Sequence, residues 1–351
     1  MRAITLVPGK QGSARLDDLP EPPSSAGAVL VEALELGICG TDIEIVHGDY
    51  GWAPPGHERL VLGHESLGRV LEAPEGGELA PGDLIAGIVR HPDPEPCPNC
   101  AVGEWDMCRN GRYTEHGIKQ LDGFGSERWR IEPEFAVRID PSLGRLGVLL
   151  EPATILAKAW EHVERIGRRA RWEPKSALVT GAGPIGLLAT MMGRRRGLEV
   201  HVLDKVTSGP KPQLVTDIGA VYHHGTVEEA CQHADVAIEC TGVGQLVFEV
   251  MEHLAPNGIV CLTGVSSGGR SIGVDAGALN RELVLSNDVI VGSVNANRRH
   301  YQQAAEALAA ADRDWLGRLI TRKVPPERFE EALEREPDDV KVTVDFSAGA
   351  S

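Results

Sequence analysis

Val179-Thr180-Gly181-Ala182-Gly183-Pro184-Ile185-Gly186 is the stretch that decides how this chain is read. Ala177 to Val179 leads into it as an apolar run of the kind a buried strand carries, and Leu187 to Arg196 behind it reads as a helix. Gly181, Gly183 and Gly186 thus form G-x-G-x-x-G in the strand–turn–helix setting the motif needs. The first glycine permits the tight turn, the second lets the backbone approach a pyrophosphate, and the third lets helix and strand pack closely. Pro184 suits the first helical turn because its missing N–H would have had no partner there, and Ile185 follows it. Unpaired N–H groups at the helix start and the positive end of its dipole then hold phosphate. A second strand, Glu199 to Leu203, ends at Asp204, about 20 residues on, where a carboxylate meets the adenosine ribose. That carboxylate accepts from a 2′-hydroxyl and repels a 2′-phosphate. Lys205, Val206, Thr207 and Ser208 follow with no arginine, so NAD is the expected cofactor, while Lys205 and Lys211 keep NADP possible.

Working outward, the pattern becomes helical from about Trp160 to Arg171, and alternation of strands and helices then takes over. Ala234 to Thr241, Gly258 to Gly264 and Val289 to Val294 read as further parallel strands, and Glu249 to Leu254 as a helix ending before Pro256-Asn257-Gly258. Strands spaced by helices predict a doubly wound parallel sheet. The chain before Glu151 is different, with short strands broken by many glycines and prolines, and it predicts a β-rich, barrel-like domain. Helices at Arg298 to Ala311 and Trp315 to Leu319 and a strand at Lys341 to Phe346 cannot close a sheet alone and are expected to return to that first domain. The expected division is a catalytic domain over 1–155, completed by 295–351, and a dinucleotide-binding domain over 156–294.

The 351 residues suffice for two domains, and 42% hydrophobic content fills their cores. No run is apolar enough to span a bilayer and no signal peptide precedes Met1-Arg2-Ala3-Ile4, so a cytoplasmic enzyme is expected. A net charge of −16 argues against nucleic acid and anionic membranes as partners. Seven cysteines, three of them clustered, do not read as a disulfide framework. Cys231, Cys240 and Cys261 read as small buried hydrophobes.

Cys39, His64 and Glu65 place a thiol, an imidazole and a carboxyl on glycine-flanked corners. Catalytic zinc takes about three protein ligands of these types and keeps one position open. Each is equally ordinary alone, as a buried Cys, a packed His or a surface Glu. Glu151, after the apolar run Val148-Leu149-Leu150, is a carboxyl that needs a cation partner if buried. Cys97, Cys100 and Cys108 are close enough in sequence to hold a second metal.

Gly37-Ile38-Cys39-Gly40-Thr41-Asp42, Gly63-His64-Glu65 and Pro81-Gly82-Asp83 occur in the order seen in zinc-dependent medium-chain dehydrogenases, which the chain resembles along its whole length. Within them it most resembles the archaeal-type glucose 1-dehydrogenases, through Arg112 to Ile118, Leu150-Glu151-Pro152, Leu254 to Gly258, Val274 to Ala278 and Gly292 to Asn295. The resemblance implies a GroES-like β-rich catalytic domain joined to a Rossmann domain. It implies zinc on Cys39, His64, Glu65 and Glu151, the last bound directly or through water, and sugar hydroxyls on Thr41, Glu115, Glu151 and Asn295. It also implies nicotinamide-side contacts at Gly264, Val265 and Ser266 and at Ser293, Val294 and Asn295. Asp204 and Lys205 stand where such enzymes commonly carry an arginine pair for NADP. In the cysteine lobe, Pro94 stands where many relatives carry the first of four zinc-binding cysteines, leaving Asp93, Glu95 or His91 as the fourth ligand. The chemistry implied is oxidation of an aldose at C1 by NAD(P), giving a lactone. A polyol, an amino-sugar alcohol or a secondary alcohol is the alternative substrate. Thr41 would relay the proton, or serve only as a turn hydroxyl. Asp42 would orient a metal ligand, or cap a helix. Relatives are dimers or tetramers, so a homo-oligomer is expected.

Overall fold

The computed structural model describes residues 1–266 and 271–349. They form two compact units, 1–154 with 295–349 and 155–294.

The first unit is built on a sheet ordered Ala136–Arg138, Leu84–Gly87, Glu65–Glu72, Val29–Ile38, Lys341–Asp345, Ile320–Val324, with Arg128–Ile131 also paired to Val29–Ile38. The ten-residue strand Val29–Ile38 is its axis, and all but one of its residues are buried. It leaves Gly37 directly opposite Glu65 on one neighbour and Thr343 on the other. The C-terminal strand Lys341–Asp345 therefore lies beside the strand that leads into Cys39. Val31, Leu67, Ile85 and Val344 are fully excluded from solvent and pack the interior. This burial is the main favourable term holding the sheet.

The second unit is a six-stranded parallel sheet in the order Val221–His223, Glu199–Leu203, Ser176–Thr180, Ala234–Glu239, Leu254–Leu262, Val289–Gly292. The strand order reverses between Ser176–Thr180 and Ala234–Glu239, which makes the crevice at their C-terminal ends a topological switch point. Leu178, Ala237, Val260, Met251 and Val250 belong to its core. Cys231 and Cys261 are buried in it, whereas Cys240 is half-buried.

Two elements depart from the sequence reading. The expected Glu249 to Leu254 helix runs instead over Gly244–Met251, and Leu254 already begins a strand. That strand carries a register irregularity against Ala234–Glu239, with Asn257 in the left-handed region at φ 67°, so Pro256-Asn257-Gly258 is a distortion inside a strand and not a loop before one. The helix expected from Trp160 begins at Leu150, with Pro152 in its first turn, and ends at Gly167. A Cβ on Gly167 would lie 2.0 Å from the Trp172 ring. Among the described residues no helix is long and apolar enough to cross a membrane.

Candidate active site

In the first unit, Cys39 ends the central strand and caps the Gly40–His47 helix. Its sulfur accepts from the Thr41 N–H at 3.3 Å, and its own N–H donates to Asp42 Oδ2 at 2.9 Å. Asp42 is fully buried and faces His64 Nδ1 at 3.3 Å, which turns the other ring nitrogen, Nε2, to within 3.2 Å of Cys39 Sγ. A carboxylate behind a histidine fixes the ring's tautomer and direction in this way at metal sites. Asp42 thus caps the helix, and its other oxygen faces His64. Donor atoms of Cys39, His64 and Glu65 all lie within 4.8 Å of one another.

Burial alone would push the His64 imidazole toward the neutral form, but the Asp42 carboxylate and the Cys39 sulfur hold its pKa well above the usual value. Glu151, at the start of the Leu150–Gly167 helix, is buried, and its carboxyl pKa is pushed up to about 7. Burial is the main cause, and Glu65 and Asp42 add to it, while His64 and Lys341 oppose it. A set of sulfur, nitrogen and oxygen donors that crowds carboxyls until one resists ionising is short of positive charge. Cys39, His64 and Glu65 fit a divalent ion with mixed ligands, whereas Glu151 falls outside that group of donor atoms.

The cation that does face this cluster was not singled out from the sequence. Lys341, 1% exposed, pairs with Glu65 Oε2 and donates to the Ile38 carbonyl at 2.9 Å. Gly37 makes room for the pair, since a Cβ there would stand 2.1 Å from Glu65 Oε2 and 2.9 Å from Lys341 Cε. No sequence signal marked it, because the lysine and the carboxyl lie on strands that only the fold brings to either side of Val29–Ile38.

Glu115, on the Thr114–His116 strand, is buried rather than a solvated surface charge. Its Oε1 accepts from Asn295 Nδ2 at 2.7 Å and from Arg90 Nε and Nη2 at 3.1 and 3.0 Å. Arg90, also buried, stacks over the Tyr113 ring at 3.7 Å. The structure therefore joins Glu115 to Asn295 across 180 residues of sequence. Thr41 is half-buried, beside the sulfur of Cys39.

Cys97, Cys100 and Cys108 form a second group of ligand atoms within 4.8 Å of one another. The Arg109 and Cys100 N–H groups lower the Cys97 thiol pKa, whereas burial raises that of Cys100. None of the three residues considered as a fourth ligand belongs to this group. Asp93 accepts from Glu95 N–H and from Asn110 Nδ2, both at 2.9 Å. Glu95 pairs with Arg112 at 2.8 Å, and His91 stacks on Phe135 with 3.8 Å between centroids. Each of the three is engaged with other partners.

In the second unit the glycine-rich turn has the form its spacing requires. Gly181 has φ 87°, Gly183 caps the Pro184–Arg195 helix, and a Cβ on Gly186 would stand 1.7 Å from the Gly181 carbonyl oxygen. Asp204 Oδ2 accepts the Ala182 N–H at 2.6 Å and Oδ1 the Val206 N–H at 3.1 Å, so the acidic side chain is drawn against the turn. Lys205 is exposed and Lys211 half-buried. Gly264, Val265 and Ser266 follow the Leu254–Leu262 strand, and Ser293 and Val294 follow Val289–Gly292. Buried Lys158 donates to the Val294 carbonyl at 2.8 Å, a tie that sequence reasoning did not identify.

Residues 144–346 match the family model described as glucose dehydrogenase C-terminus, and residues 25–141 match that of the alcohol dehydrogenase GroES-like domain. A glucose 1-dehydrogenase of Thermoproteus tenax is 39% identical over 351 residues, 98% of this chain and 99% of the relative. Its counterpart from Methanocella arvoryzae is 36% identical over 359 residues, 99% of this chain and all of the relative. The structure of Haloferax mediterranei glucose dehydrogenase in complex with NADP, Zn and gluconolactone superimposes with a TM-score of 0.91 at 32% identity, covering 99% of this chain and 100% of that one.

Proposed function

Because this chain belongs to the glucose dehydrogenase family of zinc-type, GroES-like dehydrogenases, we propose that it oxidises an aldose, glucose or a close epimer, at C1 to the lactone with NAD(P) as hydride acceptor. The single observation that carries the sugar assignment is the buried Glu115 carboxylate, held by Arg90 and bonded to Asn295. One of its oxygens is already occupied by these donors, so the carboxylate is rigid and can accept from ring hydroxyls without losing orientation.

Cys39, His64, Glu65 and Glu151 would hold zinc, which when bound supplies Lewis acidity that lowers the pKa of the C1 hydroxyl. Asp42 keeps the His64 ring turned toward the sulfur of Cys39. Lys341 holds Glu65 in place from behind. Thr41, next to that sulfur at the start of its helix, carries the hydroxyl proton toward solvent. Glu151 and Asn295, with Glu115, contact the remaining hydroxyls. Gly181, Gly183, Pro184, Ile185 and Gly186 cradle the pyrophosphate, and Gly264 to Ser266 with Ser293 to Asn295 serve the nicotinamide side. Asp204 supports NAD as the preferred acceptor, with NADP accepted through Lys205 or Lys211. The Cys97, Cys100 and Cys108 group would hold a structural zinc.

A cytoplasmic homo-oligomer completes the reading. Clustered thiols without a disulfide suit a reducing compartment. The Val289–Gly292 strand is a sheet edge, and the adjoining Ala276–Ser286 helix buries none of its residues, with Val284 and Leu285 67% and 66% exposed. A twofold axis lets such an edge and its apolar helix meet their own copy.

The test is a panel of aldoses, polyols and secondary alcohols, each with NAD and with NADP, followed by absorbance of the reduced cofactor. Turnover of glucose or an epimer, abolished by a chelator and restored by zinc, is expected. Turnover of polyols alone would refute the aldose assignment.

A further inference from the structure

Glu239 ends the Ala234–Glu239 strand at the switch point of the second unit, and it is fully buried. Its carboxylate is a hub. Oε1 accepts the Thr180 hydroxyl at 3.2 Å, the Thr241 N–H at 2.7 Å, the Thr241 hydroxyl, and the Gly242 N–H at 3.2 Å. Oε2 accepts the Gly242 N–H at 3.1 Å. The backbone carbonyl of the same residue accepts the Thr263 N–H and hydroxyl, both at 2.8 Å, and the Gly264 N–H at 3.0 Å. One residue therefore ties together the C-terminal ends of three neighbouring strands, those ending at Thr180, Glu239 and Leu262.

The packing around it is tight. A Cβ on Gly264 would stand 2.2 Å from the Gly242 nitrogen and 2.8 Å from Glu239 Oε2, and one on Gly242 would stand 2.5 Å from the Val265 carbonyl oxygen. Just past this hub the chain turns apolar side chains outward at the ends of three successive strands. Val243 is 54% exposed, Val265 81% and Val294 57%. Apolar side chains held out at the carboxyl ends of parallel strands, on loops fixed by a buried hub, are what a bound planar ligand covers.

No lysine, arginine or histidine is among the hydrogen-bond or ion-pair partners of Glu239 in the described residues. A buried carboxylate satisfied by N–H and O–H donors alone is costly to keep unless several converge on it. The site needs an acceptor on both oxygens. Glutamine has the same shape but must turn its N–H2 toward one group of donors.

We infer that Glu239 is a positioning residue for the dinucleotide: its carboxylate sets the relative placement of the loops at Thr180, Thr241–Gly242 and Gly264–Val265, and so the affinity for the cofactor. The inference rests on the second unit being the cofactor-binding one. It separates Glu239 from the residues that hold the sugar, none of which it touches in the hydrogen bonds above.

The experiment uses the full-length zinc-loaded enzyme and compares wild type, Glu239→Gln and Thr241→Val. Dissociation constants for NAD and NADP come from quenching of intrinsic fluorescence, KM values for cofactor and glucose from initial rates, and Tm from thermal scans. Loss of one charge-assisted hydrogen bond predicts that Glu239→Gln raises the dinucleotide Kd and KM about tenfold, with glucose KM and zinc content unchanged. Thr241→Val, which removes a single hydroxyl donor, is expected to raise Kd about threefold and decides the matter if Glu239→Gln does not fold. A dinucleotide Kd within twofold of wild type in the folded variants would overturn the inference. So would equal rises in both KM values with a lowered Tm, the mark of a merely structural role. Wild type that binds neither NAD nor NADP would overturn the reading of the second unit itself, and with it this inference.

Discussion

Replacing Lys341 by methionine tests the least expected part of the metal-ligand cluster. Methionine nearly matches the lysine in length and removes only the ammonium. In the native protein that group is 1% exposed, is ion-paired with Glu65, and donates to the Ile38 carbonyl at 2.9 Å. Its loss leaves a buried carboxylate and a buried carbonyl without their partner. Breaking a buried pair from one side costs about 3–5 kcal/mol, because the remaining charge stays desolvated. For a unit of this size each kcal/mol lowers Tm by about 2–4 °C, so chelated Lys341→Met should melt roughly 6–20 °C below chelated wild type. Zinc supplies an alternative counter-charge to Glu65, so the zinc-loaded variant should lose about half as much. The assay is thermal scanning of both proteins with zinc and with a chelator, and Lys341→Arg serves as the charge-preserving control. A chelated variant melting within about 2 °C of wild type would show that the ammonium contributes nothing net, and the electrostatic account of the cluster would fail.

Gly186→Ala places a Cβ 1.7 Å from the Gly181 carbonyl oxygen, so the turn must open. Dinucleotide KM should rise about 100-fold while the zinc content stays constant, and an unchanged KM would contradict the tight-turn argument. His116 is buried, and burial holds its pKa at about 4, so the folded protein keeps it neutral while the unfolded chain takes up a proton below pH 6.5. Stability should therefore fall as pH drops from 6.5 toward 4, by about 3 kcal/mol in all. Urea unfolding of wild type and His116→Phe over that range should show a shallower acid slope in the variant. Cys100→Ser should lower bound zinc from about two ions per chain to about one, read by a colorimetric zinc assay after thiol modification. Leu285→Asp, on the helix that buries none of its residues, should shift the protein to a smaller species in light scattering with its sugar kinetics intact.

Local chemistry made much of this protein readable from the chain itself. A turn that must place a Gly at φ 87° and tolerate no Cβ at Gly186 writes itself into the spacing of three glycines, and the parallel strands beside it are short and mostly apolar. Cys39, His64 and Glu65 lie at the ends of the two strands that become neighbours at Gly37 and Glu65, and their residue types are compatible with a metal or with ordinary packing until the fold brings them together. The helix expected at Glu249 to Leu254 ends at Met251, and the strand after it holds a left-handed Asn257, an irregularity with no periodic signature. The fourth ligand of the cysteine lobe was illegible for a related reason. Asp93, Glu95 and His91 are near the thiols in sequence, but they are engaged by Asn110, Arg112 and Phe135 and lie outside the group of thiol ligand atoms. Lys341 and Glu239 had no motif to reveal them. A buried charge takes its meaning from the partners that long-range strand pairing brings to it, at Ile38 and Glu65 for the one and at Thr180 for the other. The sequence by itself determined the two architectures and the residue types of the donor sets, because these follow from spacing and side-chain chemistry. Only the tertiary structure decided which charges share a dielectric and which backbone groups face them, because those distances are set by pairing across hundreds of residues.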